Sequence, residues 1–171
     1  MEKYIFRQYD PRYRRYFSSE RKRLQRALGK NAQIEHVGST SIPGLGGKGI
    51  LDIIIGTQKN LVNSSLKRLQ KNGYEFRESA STKQRLFFRR DHRSRDGSER
   101  RVHLHLTFIG SKDWIEILKF RDFLRSHPIK AKEYEKIKRK AVKLAKGEGS
   151  IYRKIKERFI LEAIKKSEEK H

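Results

Sequence analysis

The sequence predicts an α+β domain: a mixed sheet flanked by helices, with a helical C-terminal region. Three observations carry this. Strand and helix patterns alternate over the first two thirds of the chain, one strand is apolar on both faces, and the last third shows only helical periodicity. The 171 residues suit one domain, 1–171, divided into an α/β core over 1–110 and a helical cover over 111–171.

Pro11 suits a first helical position, and Tyr13, Phe17, Leu24 and Leu28 fall on one side of a helix that Gly29 can end. A short strand over Ala32–Val37 leads into a loop, Gly38–Gly49, with five glycines and one proline in twelve residues. Ile50–Ile55 reads as a strand buried on both faces, interrupted by a single acid, Asp52. A helix from about Asn60 to Asn72 follows, stopped by Gly73. Tyr74–Glu78, Gln84–Arg89 and Arg101–Phe108 are strand candidates, the last two an antiparallel hairpin across an Asp96-Gly97 turn. Ser111 can cap a helix that His127-Pro128 ends. Tyr134, Ile137, Ala141 and Leu144 mark the next helix. Ser150 can cap a last one carrying Ile151, Ile155, Phe159 and Ala163 on one face, and the Lys165–His171 tail is expected to fray.

Forty-three Lys and Arg against twenty Asp and Glu give a net charge of +23, which points to an anionic partner: nucleotide, RNA or another polyanion. Cysteine is absent, excluding disulfides, thiolate zinc sites and a cysteine nucleophile. Met1–Asp10 has no signal-peptide core, and the apolar run Ile53–Ile55 is far short of a membrane span, so a cytoplasmic protein without membrane contact is expected.

The glycine loop is laid out for phosphate. Gly38 lets backbone approach a ligand, amides and hydroxyls around Ser39 and Thr40 offer donors, and Lys48 adds a point charge. It is not a P-loop: counting back from Lys48, Ile42 occupies the first glycine position, and Gly49 stands where Ser or Thr belongs. A plain glycine-rich connector is the alternative. Asp52 among aliphatics needs a cleft, a metal or a cationic partner to stay ionised.

The chain resembles the GrpB family, whose members have the nucleotidyltransferase fold of the polymerase-beta superfamily. The resemblance is carried by Tyr9-Asp10-Pro11, by the run from Ile34 through Gly38, Ser39 and Thr40 to Leu45, by Lys48 and Leu51-Asp52-Ile53, and by Arg101 with Val102-His103-Leu104-His105-Leu106. It continues through Phe120-Arg121-Asp122-Phe123-Leu124-Arg125 and Ser126-His127-Pro128 to Glu133-Tyr134, Lys138 and Tyr152. It implies a nucleotide whose phosphates rest on the Gly-Ser turn and metals held by strand carboxylates. The superfamily pattern is Asp-x-Asp, which alternation places on one face, but Ile54 stands at the second position.

His103 and His105 share a strand face, at the strand where the superfamily carries its third acid, and could supply nitrogen ligands or proton transfer beside Asp52. Ordinary hydrogen-bonded histidines are the alternative. Of Glu35 and His36, on opposite faces, only one can reach a shared site, and Glu35 is preferred. The metal set is thus Asp52, His103, His105 and Glu35, for magnesium or manganese, or zinc if histidines ligate. Arg121 and Arg125, four apart on a helix the resemblance places in the site wall, are phosphate clamps, with a surface salt-bridge set as the alternative.

Arg89, Arg90, Arg93, Arg95, Arg100 and Arg101 cluster at the hairpin tip as a phosphate grip or a solvated loop. Phe87 and Phe88 face opposite ways, so at least one is core, and Trp114 is read as core. Two functions are expected from this: a metal-dependent nucleotidyl or phosphoryl transferase using a nucleoside triphosphate, with Asp52, His103 and His105 as its catalytic groups, or a catalytically inactive nucleotide- or RNA-binding module on the same fold.

Overall fold

The computed structural model describes residues 5–93 and 99–168. Its elements are α1 (Tyr13–Leu28), β1 (Gln33–Val37), β2 (Ile50–Thr57), α2 (Val62–Lys71), β3 (Glu75–Phe76), β4 (Leu86–Arg93), β5 (Glu99–Phe108), α3 (Lys112–Ser126), α4 (Pro128–Ala145) and α5 (Gly149–Glu168). The sheet order is β1-β2-β5-β4-β3. Only β2 and β5 run parallel, so the sheet is mixed, as the element order predicts.

Alternation along β2 sorts its residues onto two faces. Leu51, Ile53 and Ile55 join Leu104, Leu106 and Phe88 in a core closed by α1 through Tyr13, Leu24 and Leu28, and by Leu69 of α2. Asp52 and Ile54 face the other way, beside His103 and His105 of β5 in register. That second face is roofed by α3, where Trp114 packs on Ile54 and Val37. Ile42 and Leu45 of the glycine loop dock among Phe123, Leu124, Ala131, Tyr134 and Ala163, tying the loop to α3, α4 and α5.

Local chemistry explains the boundaries. Gly29, at φ 86°, ends α1 by donating its N–H to Gln25 O. Ser111 caps α3 by accepting Trp114 N–H at 3.1 Å, and Pro128 opens α4.

Four expectations are corrected. Pro11 lies in a turn before α1, where the Asp10 carboxylate accepts the Arg12 amide at 2.9 Å, so the helix starts at Tyr13. The strand expected over Tyr74–Glu78 keeps two residues, because the Ser81 hydroxyl donates to Arg77 O and accepts Phe87 N–H, both at 2.9 Å, and so diverts the ladder. Ser150 lies inside α5, which begins at Gly149. Leu144 and Ile151 are exposed: the inner face of α4 runs Ala131, Tyr134, Lys138, Ala141, Ala145, and that of α5 runs through Tyr152 and Ala163. Tyr134 and Ala141 of α4, and Ile155, Phe159 and Ala163 of α5, pack inward as expected, while Lys138, Ala145 and Tyr152 take the places expected of Ile137, Leu144 and Ile151. The Asp96-Gly97 turn, Arg95 and residues 169–171 lie outside the described residues. No described helix is long and apolar enough to cross a membrane.

Gly56 of β2 lies under Trp114, where an added Cβ would meet indole carbon at 2.7 Å and Ile109 at 2.9 Å. Gly56→Ala is expected to destabilise the protein by about 1–3 kcal/mol, read as a lowered urea midpoint with unchanged slope.

Candidate functional site

The face of β2 and β5 turned toward the helices forms the floor of a cavity of about 600 Å³, roofed by α3, α4 and α5 and rimmed by Gly38 and Ser39. Asp52 is on that floor, with Oδ1 3.4 Å from His103 Nδ1 and about a quarter of each side chain exposed. Burial favours the neutral acid, but the His103 contact and the fields of His103, His105 and Lys156 outweigh it and hold Asp52 below the ordinary carboxylate range. Asp52 therefore faces a cleft. His105 Nδ1 is buried without a hydrogen-bond partner, and burial pushes that imidazole down to about 4. The Phe87 ring lies 4.9 Å from that of His103 and 5.3 Å from that of His105, while Phe88 goes to the opposite core.

Gly38 is required twice. Its φ is 68°, and a Cβ there would stand 2.5 Å from Asp52 Oδ2, so the turn touches the acid. Gly47 does the same for Ser39, whose Oγ a Cβ at that position would strike.

The roof supplies cations that sequence reasoning left without a role. Lys138, 2% exposed, donates to Gly46 O and lies 5.1 Å from the Tyr134 ring centroid. Burial, with repulsion from Lys156, pushes its ammonium down to about 7. Lys156 is pushed down to about 8 by burial, opposed by attraction to Asp52. Its Nζ lies 4.4 Å from the Tyr152 ring centroid, and Lys48 Nζ lies 4.2 Å from the same centroid. Lys48, Arg85, Arg121, Lys138, Arg153 and Lys156 line the cavity against three carboxylates, Asp52, Asp113 and Glu116. The signal for Lys138 was one lysine at the centre of a helix's inner stripe, visible only once that stripe is fixed by packing.

Other predicted residues lie apart or are engaged. Thr40 is buried, donating to Ile50 O and meeting His36 Nε2, both at 3.0 Å, so its hydroxyl is turned from the cavity. Arg121 reaches the cavity lining, but its guanidinium binds Glu35 at 2.7 Å, His36 O at 3.2 Å and Asp122 at 2.8 Å. Arg125 donates twice to Ser41 O, at 3.1 and 3.0 Å, and lies with Glu35 in a neighbouring groove.

Glu35 is on the same sheet side as Asp52, as alternation requires, yet Arg121 takes its carboxylate away from the His103–His105 pair. Of the four residues expected to hold a metal, Asp52 and His103 meet and His105 lies beside them, while Glu35 is held by Arg121. Ile54, at the place of the second strand carboxylate, is fully buried, and among the described residues no three His, Cys, Asp or Glu side chains come together to hold a metal. These donors do not make a two-metal centre. The hairpin arginines are also engaged: Arg89 and Arg101 bind Asp91, Arg90 binds Glu20, and Arg100 stacks on Tyr16 at 3.8 Å.

The GrpB protein family model matches residues 4–166. A UPF0157 protein of Halalkalibacterium halodurans is 32% identical over 162 residues, 94% of this chain and 80% of that protein. The UPF0157 protein YqkA of Bacillus subtilis is 32% identical over 133 residues, 77% of this chain but 37% of its own length. The crystal structure of GrpB from Enterococcus faecalis overlays at TM-score 0.75 with 26% identity, covering 95% of this chain and 98% of that one.

Two outcomes follow from the geometry. Gly38→Ala is expected to cost about 2 kcal/mol or more in urea unfolding, from the clash with Asp52 and the positive φ. His36 and His105 are both held near 4 by burial, whereas unfolded imidazoles take protons near 6.5. The unfolded chain then binds protons first, so stability falls as pH drops from about 6.5 to about 4, and the urea midpoint should fall less steeply over that range in His105→Asn, which leaves only the His36 contribution.

Proposed function

We propose, for a chain that belongs to the GrpB family, that the cavity over Asp52 binds the phosphates of a nucleotide, and that binding rather than two-metal transfer is its chemistry. The observation that carries this is a pair of lysines, buried Lys138 and half-buried Lys156, that line one cavity with Asp52 beside a Gly-Ser turn. A buried ammonium is costly unless a negative charge meets it; Glu135 and Asp52 attract Lys138 and Asp52 attracts Lys156, but six cations line the cavity against three carboxylates. A phosphate would complete the balance. In this reading Gly38 and Ser39 receive phosphate at the rim, and Lys48, Lys138 and Lys156 face it from the loop and roof. The nucleotidyltransferase-like character implied by the resemblance is then retained as a binding architecture.

In a second reading an acceptor hydroxyl attacks the α-phosphorus of a nucleoside triphosphate, His103 takes the hydroxyl proton and pyrophosphate leaves; the Asp52–His103 contact at 3.4 Å, which would orient the imidazole, favours it.

Calorimetric titration with ATP separates them. Binding is expected to persist in EDTA and in Asp52→Asn, and to weaken about tenfold or more in Lys156→Ala, the scale of one charged hydrogen bond. Loss of binding in both EDTA and Asp52→Asn would sink the metal-free reading. ATP turnover abolished by Asp52→Asn would establish transfer.

Anion binding raises the pKa of Lys138 and Lys156 from about 7 and about 8, so complex formation takes up protons. Affinity should rise as pH falls from about 9 to about 6, and titrations at pH 7.5 in buffers of different ionisation enthalpy should report proton uptake.

A further inference from the structure

On the other side of the Gly38–Ser41 turn lies a second cavity, an open groove of about 590 Å³ along β1, the edge strand of the sheet. One bank is α1, where Arg14, Phe17 and Arg21 recur at three- and four-residue spacing on one face. The other bank is α3, with Arg121 and Arg125. We infer that this groove takes the phosphodiester backbone of single-stranded RNA, at a site separate from the Asp52 cavity.

The choice of ligand follows from what the groove offers. An edge strand ordinarily invites another strand, and an extended peptide is the usual occupant of such an edge. Here Arg121 donates to His36 O at 3.2 Å and Arg125 donates twice to Ser41 O, so guanidinium groups occupy edge and turn carbonyls that a peptide would need. What faces outward is positive charge. Arg14 and Arg21 are exposed, and the acids at the groove, Glu35 and Asp122, are both already bound by Arg121. Arg125 is held below its ordinary value by burial first and then by Arg121 and Arg14, whose positive charges crowd it. Phosphates at the spacing of a polynucleotide chain relieve that crowding, and guanidinium forks donate to phosphate oxygens in pairs.

A chain lying here runs toward the nucleotide cavity. Ser41 lines the groove, Ser39 lines the cavity two residues away, and Arg121 borders both. The assignment does not depend on the cavity's ligand: it stands on the arginine banks and the blocked edge.

The test uses the full chain, a mixed-sequence single-stranded RNA oligonucleotide labelled for fluorescence anisotropy, and a salt series. The double variant Arg14→Gln/Arg21→Gln removes two exposed charges without touching a core contact. It is expected to weaken RNA binding about tenfold and to lower the slope of log affinity against log salt by about 1.4, the value for two single-strand phosphate contacts. A control pair, Lys165→Gln/Lys166→Gln, removes the same charge from an exposed part of α5 and should leave the slope near that of the parent. ATP calorimetry on the groove variant should be unchanged, so failure of the groove and failure of the cavity are told apart. Unaltered RNA binding in the groove variant overturns the inference. So does equal weakening in the control pair, or an acidic peptide whose binding the groove variant abolishes while RNA binding stays intact.

Discussion

The structure is organised around one carboxylate placed among the aliphatic residues of β2. Asp52 stands between Leu51 and Ile53, which are fixed in the opposite core, so alternation leaves its side chain no choice but the helical side. An acid there must be matched by positive charge or be neutralised. The match comes from two directions: His103 and His105 from the adjacent strand, and Lys138 and Lys156 from the helical cover.

That constraint explains features that look unrelated along the chain. Gly38 is glycine because the turn presses on the Asp52 carboxylate, and Gly47 because Ser39 presses on it in turn. The helical cover is not a passive lid. Lys138 is buried where a leucine would serve packing better and Lys156 is half-buried, and both are destabilised as cations by that position. Lys138 is attracted by Glu135 and Asp52 and Lys156 by Asp52, and the overall charge of +23 extends a positive field well beyond the cavity.

The same reasoning separates the arginines by their work. Those on the β4–β5 hairpin stabilise the arm itself, bound to Asp91, Glu20 and the Tyr16 ring. Arg121 and Arg125 brace the junction of β1, the Gly38–Ser41 turn and α3. Arg14 and Arg21 stand on the surface above that junction. Net charge and clustering along the chain cannot distinguish these groups, because each depends on which acceptor tertiary folding brings within hydrogen-bond distance.

The sequence alone determined what depends on local rules. Helix caps at Ser111 and Gly29, the doubly buried strand around Ile53, the antiparallel β4–β5 hairpin and the shared face of His103 and His105 follow from residue type and periodicity over a few positions. Gly38 and Asp52 were each legible, as a turn glycine and a lone acid, but their contact was not. Only the tertiary structure decided which groups meet. It sent Glu35 to Arg121 instead of to the histidines, turned Thr40 to His36, and rotated α4 and α5 so that Lys138 and Lys156 face the acid. Those outcomes depend on the angle at which helices far along the chain settle on the sheet. Long-range packing sets that angle, and no pattern within one helix contains it.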